Sequence, residues 1–217
     1  MAAIAALAVL VSPAGLFATR ASESATTPPS TGSTTTTPPT SHKTYSIKDS
    51  PGYVPLVDPE STSVLLGRRP NAPIVSAKFK GGGRSLDDLG RRVLAGINHD
   101  SRDSLWNLCV SREEFRDILW NEFPQSRPVT GLTWEDGWKT VWMRVVNGCS
   151  GAVRDYNGPL WTLVSVEADS VMQYKNFKMY SRMRLVARND EDKVETMYWL
   201  RAVVERKGSF KIFSTDD

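Results

Sequence analysis

The last quarter of the chain reads as two long antiparallel strands joined by a tight turn. The first is Val194-Glu-Thr-Met-Tyr-Trp-Leu-Arg-Ala-Val-Val-Glu-Arg206, the link is Lys207-Gly208, and the second is Ser209-Phe-Lys-Ile-Phe-Ser214. β-Branched and aromatic residues suit a pleated surface, and a two-residue link containing Gly suits a hairpin. Upstream of it the apolar period changes. Before Tyr156-Asn-Gly-Pro159 the apolar residues recur at helical spacing, and after it they alternate. A block of helices followed by a block of strands constrains the chain to the α+β class. The helices should gather on one face of a curved antiparallel sheet of about four strands.

The helices carry start and stop signals. Ser85 is an N-cap with Asp88 three residues on, ahead of Leu86, Leu89, Val93 and Ile97. Asn98-His99-Asp100 ends that helix. Ser101 to Cys109 reads as a second, short helix that packs Leu105, Leu108 and Cys109. Ser111-Arg-Glu-Glu114 is a full capping box opening a third, with Phe115, Ile118, Leu119 and Phe123 on one stripe and a stop at Pro124. Thr133-Trp-Glu-Asp136 opens a fourth, whose stripe is Trp138, Val141, Trp142 and Val145. Asn147-Gly148 suits its end. Leu160 to Glu167 is then one strand. In the next, Phe177, Met179, Met183, Leu185 and Ala187 alternate with Lys178, Tyr180, Arg182, Arg184 and Arg188, one buried face and one solvated. A sheet rolled around helices encloses a cone-shaped cavity open at one end, a natural ligand pocket.

The start of the chain has a different composition. Ala2 to Ala18 is uncharged and mostly Ala, Leu, Val and Ile, as in a signal-peptide core or a short anchor. Thr19-Arg20-Ala21 offers a small-residue cleavage pattern, so residues 1–21 are expected to be removed on export. The apolar run contains Pro13 and Gly15 and is short for a membrane span, which leaves an uncleaved anchor as the alternative. Ser22 to Ser41, nearly all Thr, Pro, Ser and Ala, cannot bury a core and reads as a disordered spacer. Lys43 to Gly83, broken by five prolines, continues it as an extended arm, with Gly81-Gly82-Gly83 as a flexible joint. The folded domain is expected over residues 84–217.

A net charge of +3 does not suggest a dominant nucleic-acid partner. Two Cys and two His are too few for a structural zinc site of the usual kind, and nothing points to a cofactor. Seven Trp is a high count, and six lie between Trp106 and Trp161. Trp134, Trp138, Trp142 and Trp161, with Tyr180, are the candidate ligand-binding residues, by stacking on a flat or carbohydrate-like ring. Their alternative is core packing.

Other clusters have plain structural readings beside the chemical ones. His99 with Asp100 and Asp103 has the composition of a general-base pair, but also of a surface turn. Glu113, Glu114 and Asp117 are explained by capping and the helix dipole. Lys178, Arg182, Arg184 and Arg201 would make a basic sheet face, or simply one that repels neighbouring chains. Cys109 and Cys149 are a candidate disulfide for an exported chain. It would close a loop of about 40 residues and contribute about 4 kcal/mol through chain entropy. The alternative is a buried thiol at Cys109 and an exposed one at Cys149.

The helix ending Ile97-Asn-His-Asp100, the following Asp103-Ser-Leu-Trp-Asn-Leu108 and the closing hairpin resemble the nuclear-transport-factor-2-like superfamily, with its SnoaL-like branch, over about Ser85–Asp217. The resemblance implies a cone-like α+β barrel, often dimeric through the sheet, and no single function. Its members include isomerases, cyclases, dehydratases, hydrolases and non-catalytic binding domains. Catalytic members commonly use Asp, His or Tyr inside the cone. No position here matches such a motif, so no catalytic residue is carried over. The expectation is an exported, non-catalytic domain that binds a small hydrophobic ligand or a protein partner. The alternatives are an acid–base enzyme of the SnoaL-like kind and a cell-envelope accessory domain.

Overall fold

The computed structural model describes residues 50–51 and 58–216. The segment read as a signal or anchor and the Thr/Pro spacer lie outside the described residues. The helices are α1 (Thr62–Leu66), α2 (Leu86–Asn98), α3 (Arg102–Trp106), α4 (Arg112–Glu114) and α5 (Trp134–Tyr156). The strands are β1 (Thr162–Gln173), β2 (Lys178–Arg188), β3 (Val194–Met197), β4 (Leu200–Arg206) and β5 (Ser209–Thr215). The class is α+β, with one antiparallel sheet of five strands.

The three N-caps act as the side chains dictate. Ser85 Oγ accepts from the Asp88 N–H, and reciprocal capping boxes form between Ser111 and Glu114 and between Thr133 and Asp136. These contacts satisfy backbone donors that have no partner inside the helix. After α4 the chain winds on through a π-helical turn (Phe115–Leu119) and a 3-10 turn (Trp120–Glu122), ending at Pro124. The second predicted helix is shorter than expected. It stops at Trp106, and Leu108 to Val110 instead runs beside β5, with Ile212 N–H donating to Leu108 and Val110 N–H donating to Ile212.

Helix α5 runs past its predicted end at Asn147-Gly148 to Tyr156. Gly148 is not a stop signal but a close approach. A Cβ there would stand 2.2 Å from Thr215 Oγ1, so glycine lets α5 lie against β5. Thr215 Oγ1 in turn donates to the Arg144 carbonyl at 2.7 Å.

The strand order is β1-β2-β4-β5, with β3 beside the far half of β2. The predicted strand Val194–Arg206 is thus two strands. Against β2 the register passes from Leu185↔Met197 to Ser181↔Ala202, so three residues (Arg182, Met183, Arg184) face four (Tyr198, Trp199, Leu200, Arg201). This is a bulge, and Arg182 takes a left-handed φ of 55° opposite it. The extra residue breaks the alternation. Met197, Trp199 and Leu200 are all buried while Tyr198 stays exposed. All three buried residues join the main core cluster.

The sheet does not close into a barrel, which corrects that part of the expectation. β1 pairs only with β2, and the outer edge of β5 meets single bridges to Gly83 and Cys109 rather than β1. α2 lies against β1 and β2, where Gly90 leaves room for Val166 and Leu185. One core cluster joins α2, α5 and the sheet, and a second gathers Phe115, Ile118, Leu119, Phe177 and Val204.

The described part of the arm packs on the domain. Phe79 is buried in the second cluster. The Arg206 guanidinium, itself buried, donates to the carbonyls of Ala77, Val75 and Asn176. Gly83 exchanges two 2.8 Å hydrogen bonds with Phe210. A Cβ on Gly82 would stand 2.4 Å from the Phe210 carbonyl oxygen, so the glycines serve close packing at this crossing.

Candidate functional site

Two cavities flank the first half of α5 and share no lining residue. The first is an apolar chamber of about 600 Å3. Phe115, Trp120, Phe123, Tyr174, Met179 and Phe213 line it, with Val64, Leu132 and Thr140 at its mouth. The capping box of α4 aims Phe115 inward, where it stacks on Phe213 with centroids 6.5 Å apart. Phe123 lies 5.6 Å from Phe213 and 5.8 Å from Tyr174. Trp120 reaches the chamber because α5 presents Gly137 to it. A Cβ there would stand 2.4 Å from the indole ring.

The chamber holds few polar groups. The Tyr174 hydroxyl donates to the Gly67 carbonyl at 3.3 Å. Burial, with the Glu122 carboxylate adding to it, pushes this phenol up to about 12, so it is neutral and acts as a hydrogen-bonding group. Asp136 belongs to the α5 cap. Hydrogen bonds from the Thr133 hydroxyl and N–H hold its carboxyl below the usual range.

The second cavity is a cleft of about 610 Å3 with aromatic walls and a polar rim. Trp138 and Trp142, one helical turn apart, stack with centroids 5.6 Å apart and rings inclined by 23°. Trp106 from α3 sits 6.2 Å from Trp142. The floor is a buried ion pair. Lys211 Nζ lies 2.7 and 3.0 Å from the two Glu114 oxygens, which also accept from the N–H groups of Ser111 and Lys80. Three donors make four hydrogen bonds to this carboxylate, which is what a buried charge requires.

The five candidate ligand residues are divided by the fold. Trp138 and Trp142 wall the cleft. Trp134 stands apart, under the guanidinium groups of Arg112 and Arg116 at 5.0 and 5.6 Å. Trp161 is buried, its indole N–H donating to the Tyr156 carbonyl at 2.8 Å. Tyr180 packs on Phe210, 5.8 Å away. The last two line neither the chamber nor the cleft.

His99, Asp100 and Asp103 form an exposed turn after α2, around a shallow surface groove. Glu113 accepts from the Ser111 hydroxyl, and Asp117 pairs with Arg116. On the sheet, Lys178 pairs with Glu205, Arg184 with Glu167 and Asp169, and Arg201 with Asp216, which neutralises most of the basic face. Cys109 and Cys149 both belong to the first core cluster, and both are buried free thiols. Hydrogen bonding with Cys149 and burial push the Cys109 thiol well above its ordinary value. Among the described residues no three His, Cys, Asp or Glu side chains gather as metal ligands, and no helix is long and apolar enough to cross a membrane.

Sequence reasoning missed Trp106, Trp120 and Lys211. The signal for Lys211 was present. It alternates in step with Phe213 on an apolar strand, and a charge on such a face needs a buried partner. No family model, curated protein or solved structure matches this chain.

Proposed function

We propose that this is an exported, non-catalytic domain that binds a small hydrophobic ligand in the chamber beside α5. The observation that carries the reading is the lining: Phe115, Trp120, Phe123, Tyr174, Met179 and Phe213 converge on about 600 Å3 of space. Apolar walls with one or two orienting polar groups are the usual make-up of small-molecule pockets of this size. Binding is favoured over catalysis because the chamber's two ionisable side chains are committed. Asp136 caps a helix and Tyr174 is held neutral by burial. Neither is poised near neutral pH as a general base needs.

The apolar segment Ala2–Ala18 and the Thr/Pro spacer support export. The order of α2, α3 and the β4–β5 hairpin supports a relative of the nuclear-transport-factor-2-like superfamily whose sheet stays open. Pairing of two copies through the sheet belongs to the same reading. Val164, Val171 and Met172 on β1 are the exposed apolar residues available to it.

The test is displacement of an environment-sensitive naphthalene dye by a medium-chain fatty acid. Saturable binding at one site per chain is expected. Thr140→Trp, at an exposed position on the chamber mouth, should weaken it about tenfold or more. No saturable binding, or binding indifferent to that substitution, would sink the reading. N-terminal sequencing of the exported protein is expected to begin at Ser22.

A further inference from the structure

The cleft has unused binding capacity of one sign. Its acids are already partnered: Glu114 by Lys211 and two backbone N–H groups, Glu113 by the Ser111 hydroxyl, Asp117 by Arg116. Apart from Lys211 on the floor, its cations are not. Among the described residues the exposed side chains of Lys78 and Lys80 have no ion-pair or hydrogen-bond partner, and Arg112 only stacks on Trp134. One further donor is left over. The Trp106 indole N–H is buried and has no acceptor. A buried donor without a partner carries a desolvation cost that an incoming oxygen would relieve. The apolar part of the cleft is equally available. Trp142 is 37% exposed and Trp138 half-buried, both outside the buried stripe of α5 formed by Val145, Cys149, Ala152 and Val153.

We infer that the cleft is a second binding site, for a ring that carries a carboxylate. The ring lies on the Trp138–Trp142 wall. The carboxylate meets Lys78, Lys80 and Arg112 at the rim, where charge-assisted hydrogen bonds are the strong ones. An acceptor oxygen on the ring takes the Trp106 N–H. The stacked indoles give contact area at little ordering cost, and the lysines give the sign. A uronic acid within a polysaccharide and a free aromatic acid share this chemistry. The site uses no residue of the chamber, so the two readings stand or fall separately.

The experiment is a titration followed by intrinsic tryptophan fluorescence. The probes are an oligogalacturonate and 4-hydroxybenzoate, each beside its uncharged counterpart, the methyl-esterified oligomer and 4-hydroxybenzamide. At least one acid is expected to quench saturably and to bind about tenfold or more tighter than its neutral counterpart. The acid that does so names the source. Trp142→Ala should abolish the quench. Lys78→Ala with Lys80→Ala should erase the preference for the acid while ring binding remains, and added salt should act in the same direction. Thr140→Trp should leave all of this unchanged. Absence of saturable quenching by both acids, equal binding of acid and neutral probes, or binding that survives Trp142→Ala would each overturn the inference.

Discussion

At the scale of single residues, three positions show which of two opposed effects wins. Gly148 sits inside α5, where alanine is the better helix former by about 1 kcal/mol. A Cβ there would stand 2.2 Å from Thr215 Oγ1, and overpacking costs about 1–3 kcal/mol. The collision should prevail, so Gly148→Ala is expected to lower the urea midpoint. Glu114 and Lys211 form an ion pair that is almost fully buried. Glu114→Ala leaves the ammonium without a partner and should cost about 3–5 kcal/mol, whereas replacing both residues by Met should cost much less. A double-mutant cycle by denaturant unfolding checks both values. Tyr174 gives a pH dependence. Its phenol moves from the ordinary 10.0 to about 12 in the folded state, chiefly through burial. The folded chain favours the neutral form, so this contribution is complete below pH 10 and is lost as pH rises from 10 to 12. Tyr174→Phe should flatten that loss, measured as melting temperature against pH.

At the scale of elements, the N-caps and the bulge set geometry. The Thr133–Asp136 box starts α5 and orients the turn that carries Gly137 and Trp138. Thr133→Ala is expected to cost about 1 kcal/mol and to fray the first turn, read by urea unfolding and by reduced helical circular dichroism. Asp136 and Gly137 of that turn line the chamber, so chamber binding should weaken more than cleft binding. The bulge between β3 and β4 has a different effect. It turns Met197, Trp199 and Leu200 to one side, and so closes the main core beneath the last two strands.

At the scale of the whole molecule, the folded unit depends on a segment that looks like linker. Residues 69–83 fill acceptor positions around Arg206, bury Phe79 and add a bridge at Gly83. Burial of one Phe is worth about 1.5–3 kcal/mol, and a stranded buried guanidinium adds to the loss. A chain beginning at residue 84 is therefore expected to melt well below one beginning at residue 58, or to be insoluble. Equal melting temperatures for the two would contradict this account of the arm.

What the sequence determined by itself is local. Ser85, Ser111 and Thr133 announced three helix starts because a cap is an interaction between residues three apart. The change from helical spacing to alternation announced the α+β class because each period follows from the geometry of its own element. The aromatic run gave Trp138 and Trp142 as ligand candidates, and the cleft does contain them. The tertiary structure decided whatever depends on a neighbour distant in the chain. Gly148 reads as a helix stop until Thr215 lies against it. Val194–Arg206 reads as one strand until β2 imposes a register with one residue too many. Trp106, Lys78 and Lys80 join Trp142 only because α3, the arm and α5 meet at one edge of the sheet. Contacts made across the fold have no period and no fixed spacing, so the chain announces its elements but not which of their side chains will share a cavity.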